Sequence, residues 1–364
     1  MTADLIPGPV VLFGSGETSP AGKKIFDHAF EQINAAGRLS GPPNVALLET
    51  PAGFELNSSQ VIQRVADFLQ VRLQNYRPMT TVVPARRKES AYSPDDPDIT
   101  QPLLKADLIF MGPGSPTYAV RQLQDSLAWQ RMRASHRQGA TLVLASAATV
   151  AVSAYCLPVY EIYKVGEDLH WKMGLDIFAP FGLSLVFIPH WNNQDGGEEL
   201  DTSRCFMGRS RFEQLLEMLP RGNTVIGIDE KSALVFDFRA GQAHVLGFGG
   251  VTVIQGSSNS SRTGKVYHRG QSFDLGEIGD FRLPQGVVDI TPEIWHETLV
   301  ARSEAGNPVI AEPPAAVHDL VAQRESARQR KDWQQADEFR AEIQKLGWNI
   351  KDTPIGPVLE EAGE

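Results

Sequence analysis

Four times in the first 150 residues, an almost unbroken apolar run ends in a glycine or serine turn and gives way to a longer amphipathic stretch. The runs are GPVVLFGSG (8–16), NVALLETPAG (44–53), KADLIFMGPGSP (105–116) and GATLVLAS (139–146). A strand with one face in water must alternate apolar and polar residues. Strands without that alternation are buried on both faces, which is the condition of a parallel sheet covered by helices. The intervening segments supply the helices: about Pro20 to Ala36, residues 58–74 with Ser58 or Ser59 as the cap, and Tyr118–His136. The pattern predicts an α/β three-layer sandwich around a mainly parallel sheet. Sites in such folds lie beyond the carboxyl ends of the strands.

After Leu157 the rhythm changes. Residues 182–190, 224–230, 232–238, 243–254 and 264–270 read as strands, the last three as an antiparallel set, with a helix over 209–219 and a flexible turn at 256–264. At 364 residues the chain exceeds ordinary single-domain size, so one large domain with an appendage is expected. The boundary falls at the proline-rich EAGNPVIAEPPAA (304–316). Residues 1–300 are therefore assigned to the α/β domain, 301–316 to a linker, and 317–364 to a small α-helical hairpin module. No apolar run is long enough to span a bilayer, and MTADLIPGPVVLFGSGETSP lacks the basic start of a secretory signal, so no membrane partner is expected. Two cysteines, Cys156 and Cys205, form neither a disulfide framework nor a metal spacing. A cytoplasmic setting without metal or organic cofactor is expected.

Ser146 carries the first chemical possibility. A strand that runs into a serine and at once into a small-residue helix has the form of a nucleophile elbow, where the turn lifts the hydroxyl above the sheet. Ala145, Ala147 and Ala148 are small enough for that crowded turn. The same serine could instead cap the following helix. Three features sit at the same sheet edge: the glycine turn FMGPGSP (110–116), His190 after an apolar strand, and Asp229 and Glu230 at the end of another. An oxyanion donor in the glycine turn has to be Gly114 or Gly112, since Pro113 has no N–H. GSGE (14–17) reads as a tight turn lining the same cleft, with Glu17 a polar contributor.

Together VVLFGSGE, ADLIFMGPGSPTY, LASAA, LVFIPH and GIDEKSALV resemble, in order, the cyanophycinase and dipeptidase E family of serine peptidases, which has the class I glutamine amidotransferase-like fold. The resemblance covers roughly residues 8–255. It implies Ser146 as nucleophile, His190 as general base, Glu230 as the residue orienting it, and the Gly114 and Ala147 amides as oxyanion donors. Glu161 is a second candidate for the acid. Arg204, Arg209 and Arg211 stand where the family binds an acidic substrate group, although they could equally be surface arginines. The implied activity is cleavage of small peptides or β-aspartyl-type amides through an acyl-enzyme. The chain departs from the family pattern at both elbow glycines, replaced by Leu144 and Ala148, at Pro113, and in the acidic insertion QDGGEELD. A serine at the elbow disfavours a glutaminase, which uses cysteine there.

The tail resembles a different family. LVAQRESARQRKDWQQADEFRAEIQKLGWNIKDTPIGPVLE (320–360) is similar to the small C-terminal domain of cysteinyl-tRNA synthetases. That likeness implies tRNA or other RNA as a partner through residues 317–360, with Arg324, Arg328, Arg330, Lys331 and Arg340 at phosphates and Trp333 or Trp348 stacking on a base. Against it, the whole chain carries a net charge of −10, and residues 315–364 hold seven Lys/Arg against ten Asp/Glu. A salt-bridged helix pair could simply pack or form a homodimer. Two functions thus stand: a serine hydrolase, or an inactive amidotransferase-like protein that binds RNA through its tail.

Overall fold

The computed structural model describes residues 6–35, 41–255, 263–284, 289–306, 315–330, 332–353 and 356–361. It divides into two compact units, Met1–Ser303 and Glu304–Glu364.

In chain order the first unit contains β1 (Val10–Phe13), α1 (Pro20–Ala35), β2 (Asn44–Leu48), α2 (Ser58–Arg72), β3 (Met79–Val83), the short α3 (Pro97–Thr100) and α4 (Pro102–Lys105), and β4 (Leu108–Met111). Then come α5 (Pro116–Leu123), α6 (Leu127–Arg137), β5 (Thr141–Ala145), α7 (Ala147–Ala151), and a small pair of strands, β6 (Tyr155–Cys156) and β7 (Lys172–Met173). They are followed by β8 (Leu185–Ile188), α8 (Gly208–Met218), β9 (Thr224–Ile228), β10 (Ser232–Asp237), β11 (Gln242–Gly247), β12 (Gly250–Gln255), β13 (Thr263–His268), β14 (Ser272–Asp274) and α9 (Pro292–Gly306), a helix that runs past Ser303 into residues expected as linker.

The central sheet has eight strands in the order β14-β11-β10-β1-β5-β4-β2-β3. Strands β1 to β5 are mutually parallel, and β10, β11 and β14 extend the sheet antiparallel. The unbroken apolar runs are explained by two cores. In β1, Val10 and Leu12 face one core while Val11 and Phe13 face the other; in β5, Leu142 and Leu144 oppose Val143 and Ala145 in the same way. One face is covered by α1 and α2 through Ile25, Phe26, Ile62 and Leu69. The other is covered by α6, α7, α8 and a second sheet of order β13-β12-β9-β8. These are the three layers of an α/β sandwich.

Phe178 joins the two sheets. It is 1% exposed, 4.6 Å from the ring of Phe236 on β10 and 5.3 Å from that of Phe187 on β8. Because β8 carries the chain to His190, this contact fixes where that histidine emerges. Phe178→Ala should destabilise the protein by about 3–5 kcal/mol, from lost burial plus an uncollapsed cavity. Chemical unfolding of the two proteins measures it, and a cost under about 1 kcal/mol would mean the site collapses freely.

Two expected elements differ in the structure. The helix over Tyr118–His136 is two helices, because Asp125 takes a left-handed φ of 60° and Ser126 accepts from the Trp129 N–H to start α6 afresh. The run 243–254 is two strands in different sheets, β11 and β12, paired to β10 and β9. The chain crosses over after Gly247, whose φ of +102° and approach to the Lys231 carbonyl exclude a side chain. The turn expected at 256–264 lies mostly outside the described residues, as do 307–314 of the linker.

The second unit holds α10 (Ala315–Gln329) and α11 (Trp333–Lys345), the latter capped by the Asp332 side chain accepting from the Gln335 N–H. Beyond the two expected helices it adds an antiparallel pair, β15 (Trp348–Thr353) and β16 (Gly356–Glu361). Its small core is Val317, Ile343, Trp348 and Ile350.

Candidate active site

Ser146 sits between β5 and α7 with φ 52° and ψ −109°, a conformation that costs a side-chain-bearing residue on the order of 1–3 kcal/mol. The turn is held by its neighbours. The Ser146 N–H donates to the Phe13 carbonyl (3.4 Å), and Thr149 Oγ1 reaches the carbonyls of Phe13 and Leu144, both at 3.0 Å. Ala145 and Ala148 are fully buried beside it. The serine makes no side-chain cap to α7. Its Oγ lies instead 2.8 Å from His190 Nε2.

His190 follows β8 and also has a left-handed φ, 51°. Its N–H donates to the Gly14 carbonyl (3.2 Å), tying it to the end of β1. Gly14 must be glycine because a Cβ there would lie 2.1 Å from the Asp229 carbonyl oxygen. That close approach brings the turn from β9 to β10 alongside. Glu230, in that turn, places Oε1 2.9 Å from His190 Nδ1 and accepts from Asn193 Nδ2, also at 2.9 Å. Its own N–H donates to Asn192 Oδ1 (2.8 Å). The hydrogen bond from His190, the largest cause, holds the Glu230 carboxyl below the usual carboxylate range despite partial burial. An ionised carboxylate only accepts, so Nδ1 carries the proton in the neutral ring and Nε2 is left to accept from the serine hydroxyl.

A cavity of about 360 Å³ opens above this chain of contacts, lined by Gly114, Ser146, Ala147, Tyr160, His190 and Phe206 among others. Gly114 has φ +143°, and a Cβ would lie 2.0 Å from the Pro51 carbonyl oxygen. Neither the Gly114 nor the Ala147 N–H donates to another described residue. Cys205 also lines the cavity, but burial pushes its thiol up to about 12, so it stays protonated and unreactive at neutral pH. Glu17 is half-buried and lines neither cavity; burial raises its carboxyl, against the pull of a backbone hydrogen bond.

Glu161, the second candidate acid, does not meet His190. It accepts from Thr117 Oγ1 (2.6 Å) and pairs with Lys172 (3.3 Å) in a neighbouring cleft. Two of the three arginines expected at the substrate, Arg204 and Arg211, have side chains turned to structural work. Arg204 donates to the Trp191 carbonyl (2.8 Å) and lies over its ring, while Arg211 donates to the carbonyls of Met207 and Phe206. Arg209 caps its own helix start through its backbone N–H on Asp201, and none of the three lines either cavity.

Sequence reasoning missed the reason Arg204 and Arg211 are occupied. Arg204, Cys205 and Phe206 all have left-handed φ, 60°, 58° and 67°, in a turn whose N–H groups return to His190 and Trp191. The turn lays the Phe206 ring 5.7 Å from the His190 ring. Asn193, which holds Glu230, was missed with it; no residue type there advertises the conformation.

In the second unit, Arg330 and Arg340 are exposed and Trp333 is 59% exposed. Arg324 is buried against Glu325, and Arg328 is half-buried 3.9 Å from the same carboxylate. Trp348 is a core residue, not a stacking platform. Lys331 lies outside the described residues. No helix among the described residues is long and apolar enough to cross a membrane.

The fold is peptidase-like. A peptidase from an acI-B1 actinobacterium superposes with a TM-score of 0.58 at 21% identity, over 74% of this chain and 98% of that one. Residues 311–355 match the family model of the cysteinyl-tRNA ligase anticodon binding domain. Cysteine–tRNA ligase of Rubrobacter xylanophilus is 50% identical over 48 residues, 13% of this chain and 10% of the ligase. Cysteine–tRNA ligase 1 of Burkholderia lata is 34% identical over 77 residues, 21% of this chain and 16% of the ligase. The chain thus spans about a tenth to a sixth of the length of these curated relatives.

Proposed function

We propose that the first unit is a serine hydrolase that cleaves amide bonds of small peptides. The observation that carries this reading is the continuous chain from Ser146 Oγ through His190 to Glu230, at 2.8 and 2.9 Å. In the proposed reaction His190 Nε2 takes the Ser146 proton as Oγ attacks the amide carbonyl. The developing oxyanion is received by the Gly114 and Ala147 N–H groups, and Glu230 stabilises the imidazolium without itself taking the proton. His190 then protonates the leaving amine, and water, activated by the same ring, hydrolyses the acyl-serine. The strain at Ser146 supports the same reading, since a mere helix cap has no need of it. With Arg204 and Arg211 bonded to backbone carbonyls and Arg209 lining neither cavity, specificity for β-aspartyl groups loses its support. The test is labelling with a fluorophosphonate probe, mapped by peptide digestion. Modification at Ser146 is expected, and folded protein that takes up no probe would sink the reading.

A second reading concerns the tail, because residues 311–355 match an RNA-binding family. The second unit is proposed to contact tRNA through exposed Arg330, Arg340 and Trp333. Full-length protein should bind tRNA with salt-dependent affinity, and Arg330→Ala with Arg340→Ala should lower the slope of log K against log salt by about 1 per lost contact. An unaltered slope would assign this unit to packing or dimerisation instead.

A further inference from the structure

A larger cleft, about 730 Å³, adjoins the cavity above Ser146. Tyr160 lines both, and the start of α5 runs between them: Gly114 and Pro116 line the smaller, Ser115 and Thr117 the larger. The two cavities therefore meet along Tyr160 and residues 114–117, beside Ser146. The volume of the larger cleft is within the range of sites for small ligands.

Much of the lining is apolar. Phe54, Tyr118, Val120, Tyr160, Val165 and Met173 are six of its thirteen residues, with the Phe54 and Tyr118 rings 5.1 Å apart. Phe54, Val165 and Met173 are 51%, 73% and 62% exposed, so large apolar side chains gather around this opening without being covered. An exposed apolar patch of that kind marks a binding surface.

Its charges cancel. Glu55 and Glu161 are matched in number by Arg121 and Lys172 in the larger cleft, and Asp195 by Lys164 in the smaller. Glu161 is already paired with Lys172 and Thr117, and the Arg121 guanidinium lies 5.2 Å from the Tyr118 ring centroid. Neither cavity holds an excess cation for an acidic side chain, and burying an unpaired carboxylate here would be unfavourable.

From the continuity of the two cavities, the apolar lining and the balanced charges, we infer that the larger cleft takes an apolar side chain of aromatic size, flanking the bond cleaved at Ser146. The substrates are thus small peptides with such a residue rather than acidic ones. This assignment rests on the serine-hydrolase reading for its reaction but not for its binding preference, so the two are tested apart.

Binding is measured by calorimetry on full-length Ser146→Ala protein with Phe-Ala and Ala-Phe against Asp-Ala and Ala-Asp. One of the phenylalanine peptides should bind at least about tenfold more tightly than its aspartate counterpart. Met173→Arg and, separately, Val165→Arg, both at exposed positions, should each reduce that ratio to below about threefold. The inference is overturned by an aspartate preference, by no measurable binding of either phenylalanine peptide, or by a preference that survives both substitutions. Fluorophosphonate labelling of the wild type runs in parallel. Phenylalanine preference without labelling would retain the cleft's assignment and remove the hydrolase reading. Labelling at Ser146 with aspartate preferred would do the reverse.

Discussion

Ser146→Ala should lower turnover of a susceptible small peptide on the order of 10⁵- to 10⁶-fold, and His190→Ala by a similar amount, with the double variant little worse than either. The reason is that serine and histidine act as one unit across a single 2.8 Å contact. Once either is gone, the other has nothing to do. The residual rate would come from carbonyl polarisation at Gly114 and Ala147 and from binding. Losses that add in the double variant would mean two independent groups and defeat the proposed chain of proton transfer. Ser146→Gly makes a separate point about strain. Glycine accepts φ 52°, ψ −109° without the Cβ penalty, so this variant should be inactive yet no less stable than Ser146→Ala, and more stable by up to about 1–2 kcal/mol. Thermal unfolding of the two variants decides it. A less stable glycine variant would show that the backbone there is not strained.

The sheet was legible because every residue of β1, and every residue of β5 after Thr141, faces one of two cores, and a sequence records burial directly. Where a position depends on a turn's conformation, the record fails. Asp125, Arg204, Cys205 and Phe206 adopt left-handed φ although none is glycine. One of these breaks the long helix, and the other three bend the chain after His190 back on itself. The arginines there looked available because the carbonyls they bond exist only once that turn has formed. The choice between Glu161 and Glu230 was open for a related reason. It depends on β9 leaving the second sheet and β10 entering the first within three residues, a crossing that no local propensity specifies. His190 and Ser146 were easier, since each ends an apolar strand and the ends of such strands converge. In the tail, the motif residues were visible while β15 and β16 were not, because their pairing closes a core shared with α10 and α11.

That crossing makes Glu230 the position for a second large effect. Glu230→Gln keeps the size of the side chain but replaces an acceptor-only group by one that can turn its NH₂ toward His190 Nδ1. The ring would then accept at Nδ1 and carry its proton on Nε2, facing Ser146, where it can no longer take the hydroxyl proton. A loss of roughly 10⁴-fold in kcat is expected, the size seen when such an acid is replaced in a triad of this logic. The same exchange at Glu161 should cost less than about tenfold, because that carboxylate meets Thr117 and Lys172 rather than the histidine. A larger loss at Glu161 than at Glu230 would reverse the assignment. Stability adds an independent readout. The folded Glu230 carboxyl is depressed, chiefly by the hydrogen bond from His190, so its ionised form stabilises the protein above the unfolded carboxyl value of about 4.3. That contribution is lost as pH falls through the lower folded value. The stability difference between wild type and Glu230→Gln should therefore be larger at pH 7 than at about pH 3, and a difference independent of pH would mean that the carboxylate's charge does not hold the histidine.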